Sequence, residues 1–271
     1  MQSNRSFLSR ILVLFALIAL TLGSGAFAQE SSPVKARYTK HEYQIQMRDG
    51  VKLFTSVYVP KDTSQKYPIM PKDTGSTYDE YVSDPNKPAP FQSRFTSGIT
   101  YEYMTDDQRF SASRPDVLVY QSDVLTEDVT ITGELFVDLY ASTSGTDSDF
   151  VIKLIDVFPE RKIDPMDGYQ MLVRGEPMRA KYRKNWSKPE PMKPNEVTHI
   201  PFAMPDVNHT FKKGHRIMIH IQSAWFPLVD RNPQKFLNIY QAKDEDFQKA
   251  TQRIHRSAKF PTHLRVSVLK P

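Results

Sequence analysis

Apolar and polar residues alternate along much of the second half of the chain. In residues 129–141 every odd position is apolar or small, and residues 216–223 show the same two-residue period. Such alternation predicts β-strands that bury one face. Residues 150–158 are apolar on both faces apart from Lys153 and Asp156, which is typical of a central strand.

Turns rich in proline and glycine separate the alternating segments. A run of about eight antiparallel strands with few helices predicts a mainly β fold, a two-sheet jelly-roll sandwich. Residues 234–250 carry the one longer helical pattern, and short helical turns are expected near residues 101–108. The predicted strands lie near residues 116–122, 129–141, 149–158, 169–181, 196–204, 215–224, 252–258 and 263–269.

Residues 41–60 predict a β-hairpin ahead of the sandwich. Apolar residues alternate on both sides of Asp49-Gly50, and an Asp-Gly pair between such runs is a strong hairpin signal. A further apolar stretch, KYPIM, ends at residue 70. Residues 71–114 lack long periodicity and contain many prolines, so we expect an irregular, mostly extended linker there.

The N-terminal segment has the composition of a secretory signal peptide. Arg5 and Arg10 form a basic region, residues 11–22 are apolar, and the small-x-small pattern AFA ends at Ala28. A membrane anchor is the alternative, but a bilayer-spanning helix needs about 20 apolar residues. We expect an exported protein, periplasmic or secreted, cleaved after about Ala28. The predicted divisions are 1–28 for the signal peptide, 29–40 for a polar lead-in, 41–70 for the hairpin, 71–114 for the linker and 115–271 for the jelly-roll domain.

Composition excludes several classes of function. The chain has no cysteine, which rules out disulfides and thiolate chemistry. Its formal charge of +5 includes the two arginines of the signal segment, and its basic residues are mixed with acidic ones. That balance does not predict a nucleic-acid partner. The sequence also lacks a Walker loop, a dinucleotide fingerprint and an H-E-x-x-H motif, so no cofactor and no metal is predicted.

The sequence contains no recognisable set of catalytic residues for a hydrolase. An α/β-type serine hydrolase carries its nucleophile in G-x-S-x-G, and this sequence has no such motif. Ser97 and Ser144 stand next to glycines outside any strand-to-helix junction, so we expect turn residues. His215 and His220 lie an odd number of residues apart on one predicted strand, which points them to opposite faces and prevents a shared metal. His209 is expected in a turn, with a loop hydrogen bond. No catalytic residue is predicted.

Two groups of residues are candidates for binding. Asp147 and Asp149 alternate onto one side of a strand start, where carboxylates can hold a hard cation. Strand-end solubility and edge protection are the roles we favour for them. Trp225, Phe226 and Tyr240 are candidate ligand-contact aromatics, which would form an exposed platform for a sugar or a peptide. A core or interface position at the end of a strand is the alternative that we favour.

Long segments resemble one known family, the CocE/NonD hydrolases. This family includes cocaine esterases, α-amino-acid ester hydrolases and X-Pro dipeptidyl-peptidase-like enzymes. The segment YTKHEYQIQMRDGVKLFTSVYVPKDTSQKYPI (38–69) resembles its opening. EYMTDDQRFSASRPDVLVYQSDVLTEDVTITG (102–133) and DVNHTFKKGHRIMIHIQSAWFPLVDRNPQ (206–234) resemble its C-terminal jelly roll. The likeness covers about residues 37–70 and 78–271, so the hairpin is similar to a remnant of an α/β-hydrolase domain.

The resemblance implies a serine hydrolase acting on acyl esters, amides or Xaa-Pro peptides. In that family an α/β core supplies a serine nucleophile, an aspartate, a histidine and an oxyanion tyrosine. This chain leaves the core at Met70 and resumes at about Tyr78, and none of the four has a matching position. We therefore expect an inactive form, which would bind a small acyl or peptide substrate only if the missing core were supplied.

The loss of the core has a second implied consequence. In the family the jelly roll packs against the core, so its vacated face is expected to be exposed and to favour self-association. The alternative function is a non-catalytic β-sandwich that serves as a binding or interaction module. A gene remnant without function is a third interpretation of the same sequence.

Overall fold

The structure is a computed structural model that describes residues 38–46, 52–60, 66–69, 77–94, 98, 100–160 and 166–269. The chain divides into two compact units, residues 1–62 and residues 63–271. No helix of the described residues is long and apolar enough to cross a membrane. Its strands are β1 (Tyr38–Gln46), β2 (Lys52–Pro60), β3 (Lys66–Ile69), β4 (Tyr78–Ser83), β5 (Val117–Gln121), β6 (Val129–Thr143), β7 (Asp149–Val157), β8 (Gln170–Arg179), β9 (Thr198–Phe211), β10 (Arg216–Gln222), β11 (Ala250–Ser257), β12 (Phe260–Pro261) and β13 (His263–Leu269). The described residues also contain a short α-helix, α1 (Arg109–Ala112).

The first unit contains the predicted hairpin. Strands β1 and β2 are antiparallel, and their register pairs Tyr38 with Pro60 at one end and Gln46 with Lys52 at the other. This confirms the two strands that the alternating pattern predicts. The Asp49-Gly50 turn and the predicted signal segment lie outside the described residues.

The second unit is a sandwich of two antiparallel sheets. The four-stranded sheet has the order β5-β10-β7-β8. The seven-stranded sheet has the path β12-β11-β6-β13-β3, with β4 paired to β11 and β9 paired to β6. This confirms the predicted mainly β sandwich, in which each sheet has one inner and one outer face.

Alternate side chains from facing strands fill the space between the two sheets. Ile131, Leu135 and Leu139 of β6 point inward and are fully buried. Phe150 and Leu154 of β7 oppose them and are buried to the same extent. Burying one such side chain contributes about 1.5–3 kcal/mol, so this shared core holds the two sheets together.

Strand β6 is the central element of the larger sheet. It has 15 residues and pairs with β9, β11 and β13. Its pairing with β9 shifts register between Gly133 and Leu135, and Gly133 has a φ of 81°. Glycine adopts this left-handed conformation without a steric cost, and a bulge of this kind bends and twists a strand. The bend allows one strand to serve three partners along its length.

All eight predicted strands are present, but three local predictions differ from the structure. Tyr78–Ser83 is a strand, although we expected the whole of residues 71–114 to be irregular. Residues 234–250 hold two single 3₁₀ turns, Ile239–Gln241 and Asp244–Asp246, so the helical prediction is wrong. β9 runs on to Phe211 because β6 pairs with it over its full length. The 3₁₀ turn Tyr101–Met104 lies where short helical turns were expected. The domain boundaries themselves stay a prediction.

Candidate functional site

A cleft lies between the two sheets, at the edge formed by β4 and β5. Its volume is about 1020 Å³. The residues of its deep wall are buried, since Leu139 is 0% and Ile152 2% exposed. Inward-facing side chains of both sheets make the wall, among them Leu118, Val137, Leu139, Ile152, Ile219 and Leu264.

A half-buried ion pair and a tyrosine form the mouth of this cleft. Arg256 binds Asp79 through two nitrogens, with Nε 2.8 Å from Oδ2 and Nη2 3.2 Å from Oδ1. The hydroxyl of Tyr120 donates to Oδ2 of Asp79 over 3.0 Å, which links β5 to β4. Burial, and then the charge of Asp79, raise the pKa of Tyr120, so its hydroxyl stays a neutral donor. These groups satisfy one another, and the cleft is therefore suited to binding rather than to nucleophilic attack.

A serine and a histidine meet on the outer face of the larger sheet. Ser142 Oγ lies 3.0 Å from His255 Nε2, although 113 residues separate them in sequence. Burial, and then the charge of Arg253, lower the pKa of His255, so its neutral ring can accept the serine proton. Ser142 is 2% exposed, and no carboxylate of the described residues hydrogen-bonds to His255. The pair lacks the orienting acid and the access that a catalytic serine needs.

Asp156 joins two histidines that sequence reasoning left apart. Its Oδ2 lies 2.9 Å from Nε2 of His209, and its Oδ1 lies 2.8 Å from Nδ1 of His215. A carboxylate only accepts, so each histidine donates. His209 stands in β9 and not in the expected turn, because β9 continues to Phe211. The useful sequence signal was the acidic residue inside an apolar strand, which needs buried partners.

The other polar residue of that apolar strand, Lys153, is fully buried on the opposite side of the smaller sheet from the main core. Its Nζ donates to Gln108 Oε1 over 2.9 Å and lies 5.2 Å from the ring centre of Trp225. Burial lowers the pKa of Lys153 to about 7. Burial also lowers the pKa of its cross-strand neighbour His220 to about 3, with the Lys153 charge as the second cause. A lysine whose pKa lies near neutrality is common at functional sites, but the side chain of Lys153 is 0% exposed.

Asp147 and Asp149 are buried, which corrects the solubility and edge roles favoured from sequence. Asp149 forms a two-armed ion pair with Arg179, in which both N–O distances are 2.9 Å, and accepts from Asn232 over 2.7 Å. Burial, and then the charge of Asp149, raise the pKa of Asp147 to about 6. Lys181 lies 3.8 Å from Asp147. The cations and the amide satisfy both carboxylates, and the described residues contain no cluster suited to a metal ion.

The three candidate ligand-contact aromatics have different environments. Trp225 is buried and packs edge-on against Tyr103, with ring centres 5.8 Å apart. Gly175 lies beneath it, so Trp225 belongs to a small second core and not to an exposed platform. Phe226 is half-exposed and Tyr240 is 88% exposed. Ligand contact by Phe226 and Tyr240 stays a prediction.

Comparisons with known proteins assign the sandwich to a family. The family described as the X-Pro dipeptidyl-peptidase C-terminal non-catalytic domain matches residues 26–265. The cocaine esterase of Rhodococcus sp. (strain MB1 Bresler) is 33% identical over 193 residues, which make up 71% of this chain and 32% of the esterase.

Solved structures give the same result. An aminopeptidase from the marine sediment archaeon Thaumarchaeota archaeon has a TM-score of 0.72 and 38% identity, covering 76% of this chain and 37% of its own. An α-amino acid ester hydrolase has a TM-score of 0.69 and 42% identity, covering 73% of this chain and 34% of its own. The chain spans about a third of the length of these relatives. It belongs to the family of the X-Pro dipeptidyl-peptidase C-terminal non-catalytic domain, and with it to the CocE/NonD hydrolases.

Proposed function

We propose that this chain is an exported member of the CocE/NonD hydrolase family that does not hydrolyse esters or Xaa-Pro peptides on its own. The relatives are named as an esterase, an ester hydrolase and an aminopeptidase, and the matching domain is named as non-catalytic. A chain that aligns with about a third of each relative retains the domain that carries no catalytic role in that description.

The Ser142–His255 pair carries this proposal. It is the one serine–histidine hydrogen bond among the described residues, and it has no carboxylate to orient the histidine. Serine attack on an acyl carbon needs a general base held in place and an oxyanion site beside the serine. A serine shielded inside a sheet face meets neither requirement, so we expect no acyl-enzyme to form.

A serine-directed fluorophosphonate tests the proposal on the purified mature chain, which would begin at Gln29. Intact mass spectrometry is expected to show no adduct, and p-nitrophenyl acetate is expected to be hydrolysed no faster than by heat-denatured protein. A stoichiometric adduct that disappears in Ser142→Ala would refute the proposal, because that serine would then be activated. An adduct that persists in Ser142→Ala would refute it as well and would place the nucleophile elsewhere.

The export proposal rests on the signal-like composition of residues 1–28. Expression of the full chain in a Gram-negative host is expected to yield a periplasmic form whose N-terminal sequence begins at about Gln29. A product that stays in the cytoplasm with its first 28 residues intact would contradict it.

A further inference from the structure

Strand β5 is an edge of the four-stranded sheet that lacks the features which normally protect a sheet edge. Of the described strands only β10 pairs with it. Edge strands of natural proteins carry charges, prolines or bulges that prevent pairing with another chain. Val117–Gln121 has no charged residue and no proline, and its register with β10 is regular. Each other described strand of the sandwich that has a single partner contains a proline or a charge, namely Pro68 in β3, Glu80 in β4, Pro177 in β8, Pro201 in β9 and Pro261 in β12.

The backbone of β5 presents unpaired hydrogen-bonding groups along this edge. The N–H of Ser122 donates over 2.9 Å to the carbonyl oxygen of Ile217, which the register places directly opposite. In an antiparallel ladder, hydrogen-bonded residue pairs alternate with non-bonded ones. The even-numbered residues of β5 therefore bond to β10. The N–H and C=O groups of Val119 and Gln121 point away from β10 and have no partner among the described residues.

Apolar side chains lie on both sides of the same edge. Leu118 and Tyr120 line the cleft between the sheets and are half-buried. Val119, on the other side of the strand, is 37% exposed, and Val124 beyond its end is 48% exposed. An unpaired backbone flanked by two apolar rows is a template for another strand.

We propose that β5 pairs antiparallel with β5 of a second copy of this chain, about a two-fold axis at Val119. The two Val119 residues would exchange both of their N–H···O bonds, and Gln121 of each copy would donate to Val117 of the other. Leu118 of one copy would face Tyr120 of the other where the two clefts open. A two-fold interface uses one surface twice, and it is the commonest association of identical chains. This pairing is independent of whether the chain hydrolyses esters.

The charges at the two ends of β5 suit this occupant. Asp123 is exposed and forms no ion pair with any of the described residues, while Arg216 beside it donates to the carbonyl oxygen of Ser122. At the other end Arg114 binds Asp116 with Nε and Nη2, both over 2.7 Å, and its Nη1 has no hydrogen-bond partner in the described part of the chain. The two-fold axis brings Asp123 of one copy beside Arg114 of the other. Each junction then holds two arginines and two aspartates, so the ends attract without a net charge.

The oligomeric state of the mature chain, measured by size-exclusion chromatography with light scattering, tests the proposal. The wild type is expected to be a dimer. Val119→Pro removes an N–H that β10 does not use, so it should leave the fold intact and raise the dimer Kd by at least about 30-fold. Val119→Lys places like charges opposite each other and should also weaken the dimer. Val119→Thr is the matched control, because it keeps a β-branched side chain and the backbone bonds, and it should dimerise as the wild type does.

A single cysteine tests the register. The chain has no cysteine of its own, and opposite residues of a hydrogen-bonded antiparallel pair have Cα atoms about 5.5 Å apart, which a disulfide can bridge. Val119→Cys should therefore give a cross-linked dimer under mild oxidation. Val124→Cys is the control at the same edge, because the two-fold axis would place its two copies about 30 Å apart. It should stay monomeric on a non-reducing gel.

Circular dichroism and urea unfolding establish that each variant is folded. A wild type that is monomeric at about 100 μM would overturn the proposal and leave the edge to a chain other than a second copy, because any dimer with a Kd below that concentration would be populated. A dimer that persists in both Val119→Pro and Val119→Lys would overturn it as well, since the interface would then lie elsewhere. Cross-linking of Val124→Cys as readily as Val119→Cys would exclude the register and indicate non-specific contact.

Discussion

Replacing Lys153 by methionine is expected to stabilise the protein at neutral and acidic pH. In the unfolded chain the lysine has a pKa of 10.5, and burial lowers the value to about 7 in the folded state. Each pKa unit corresponds to about 1.4 kcal/mol, so the charged amine costs the folded state about 5 kcal/mol below pH 7. The methionine side chain has a similar length and removes this cost.

Two losses offset part of the gain. Gln108 Oε1 loses its donor, at a cost of about 1–3 kcal/mol, and the contact of the ammonium with Trp225 is worth about 1–2 kcal/mol. The net stabilisation at pH 6.5 is therefore about 0–3 kcal/mol. Above pH 7 the folded wild type loses the proton while the unfolded chain keeps it, so wild-type stability rises with pH until about 10.5. The advantage of the variant should shrink by about 3 kcal/mol between pH 6.5 and pH 9.

Urea unfolding of both proteins at pH 6.5 and pH 9 measures this difference. Lys188→Met is the matched control, because Lys188 is exposed, and its free energy of unfolding should stay within about 0.5 kcal/mol of wild type at both pH values. A Lys153→Met variant that is less stable by the same amount at both pH values would refute the reasoning. That result would mean that the buried amine keeps its charge at little cost.

Three further substitutions test the packing and the ion pairs. An added Cβ at Gly175 would lie 2.7 Å from Trp225, so Gly175→Ala should destabilise the fold by about 1–3 kcal/mol. It should also shift the fluorescence of Trp225, measured in a Trp186→Phe background, and unchanged emission and stability would contradict this packing. Because the pKa of Asp147 is raised to about 6, the free energy of unfolding of the wild type should fall as pH rises from about 4 to 6. Asp147→Asn should not show this fall in urea titrations, and parallel pH profiles of the two proteins would argue against a cost of burying the carboxylate. Arg179→Met should cost about 3–5 kcal/mol because Asp149 keeps a buried charge, and a loss below about 1 kcal/mol in thermal unfolding would show that water solvates that carboxylate.

The strands were predictable because their cause is local. In β6 and β13 one face is buried, and the two-residue period records that burial directly. Tyr78–Ser83 was missed because only two of its six residues are buried, and its strand conformation depends on pairing with β11, which follows more than 160 residues later.

The candidate sites were harder to predict, because they depend on register between distant strands. Ser142 meets His255, and Tyr140 stacks on His199, only once β6 has paired with its neighbours. Sequence does mark Lys153 and Asp156 as polar residues in an apolar strand, which predicts buried partners without naming them. Tertiary structure sets the identity of these partners, which are Gln108 for Lys153 and two histidines for Asp156.

The pairing of β6 with three strands, β9 on one edge and β11 and β13 on the other, also sets an order for synthesis of this chain. Of its partners, β9 ends at Phe211, whereas β11 and β13 occupy Ala250–Ser257 and His263–Leu269. A nascent chain that has reached residue 249 can therefore pair β6 on one side only, and β4 has no partner at all among the described strands. Contacts between residues so far apart close slowly, because the loop entropy is lost before the pairing is gained. The larger sheet is completed only when translation is nearly finished, and a ribosome stalled before β11 would hold a chain in which β6 has one unpaired edge and neither β3 nor β4 has its partner.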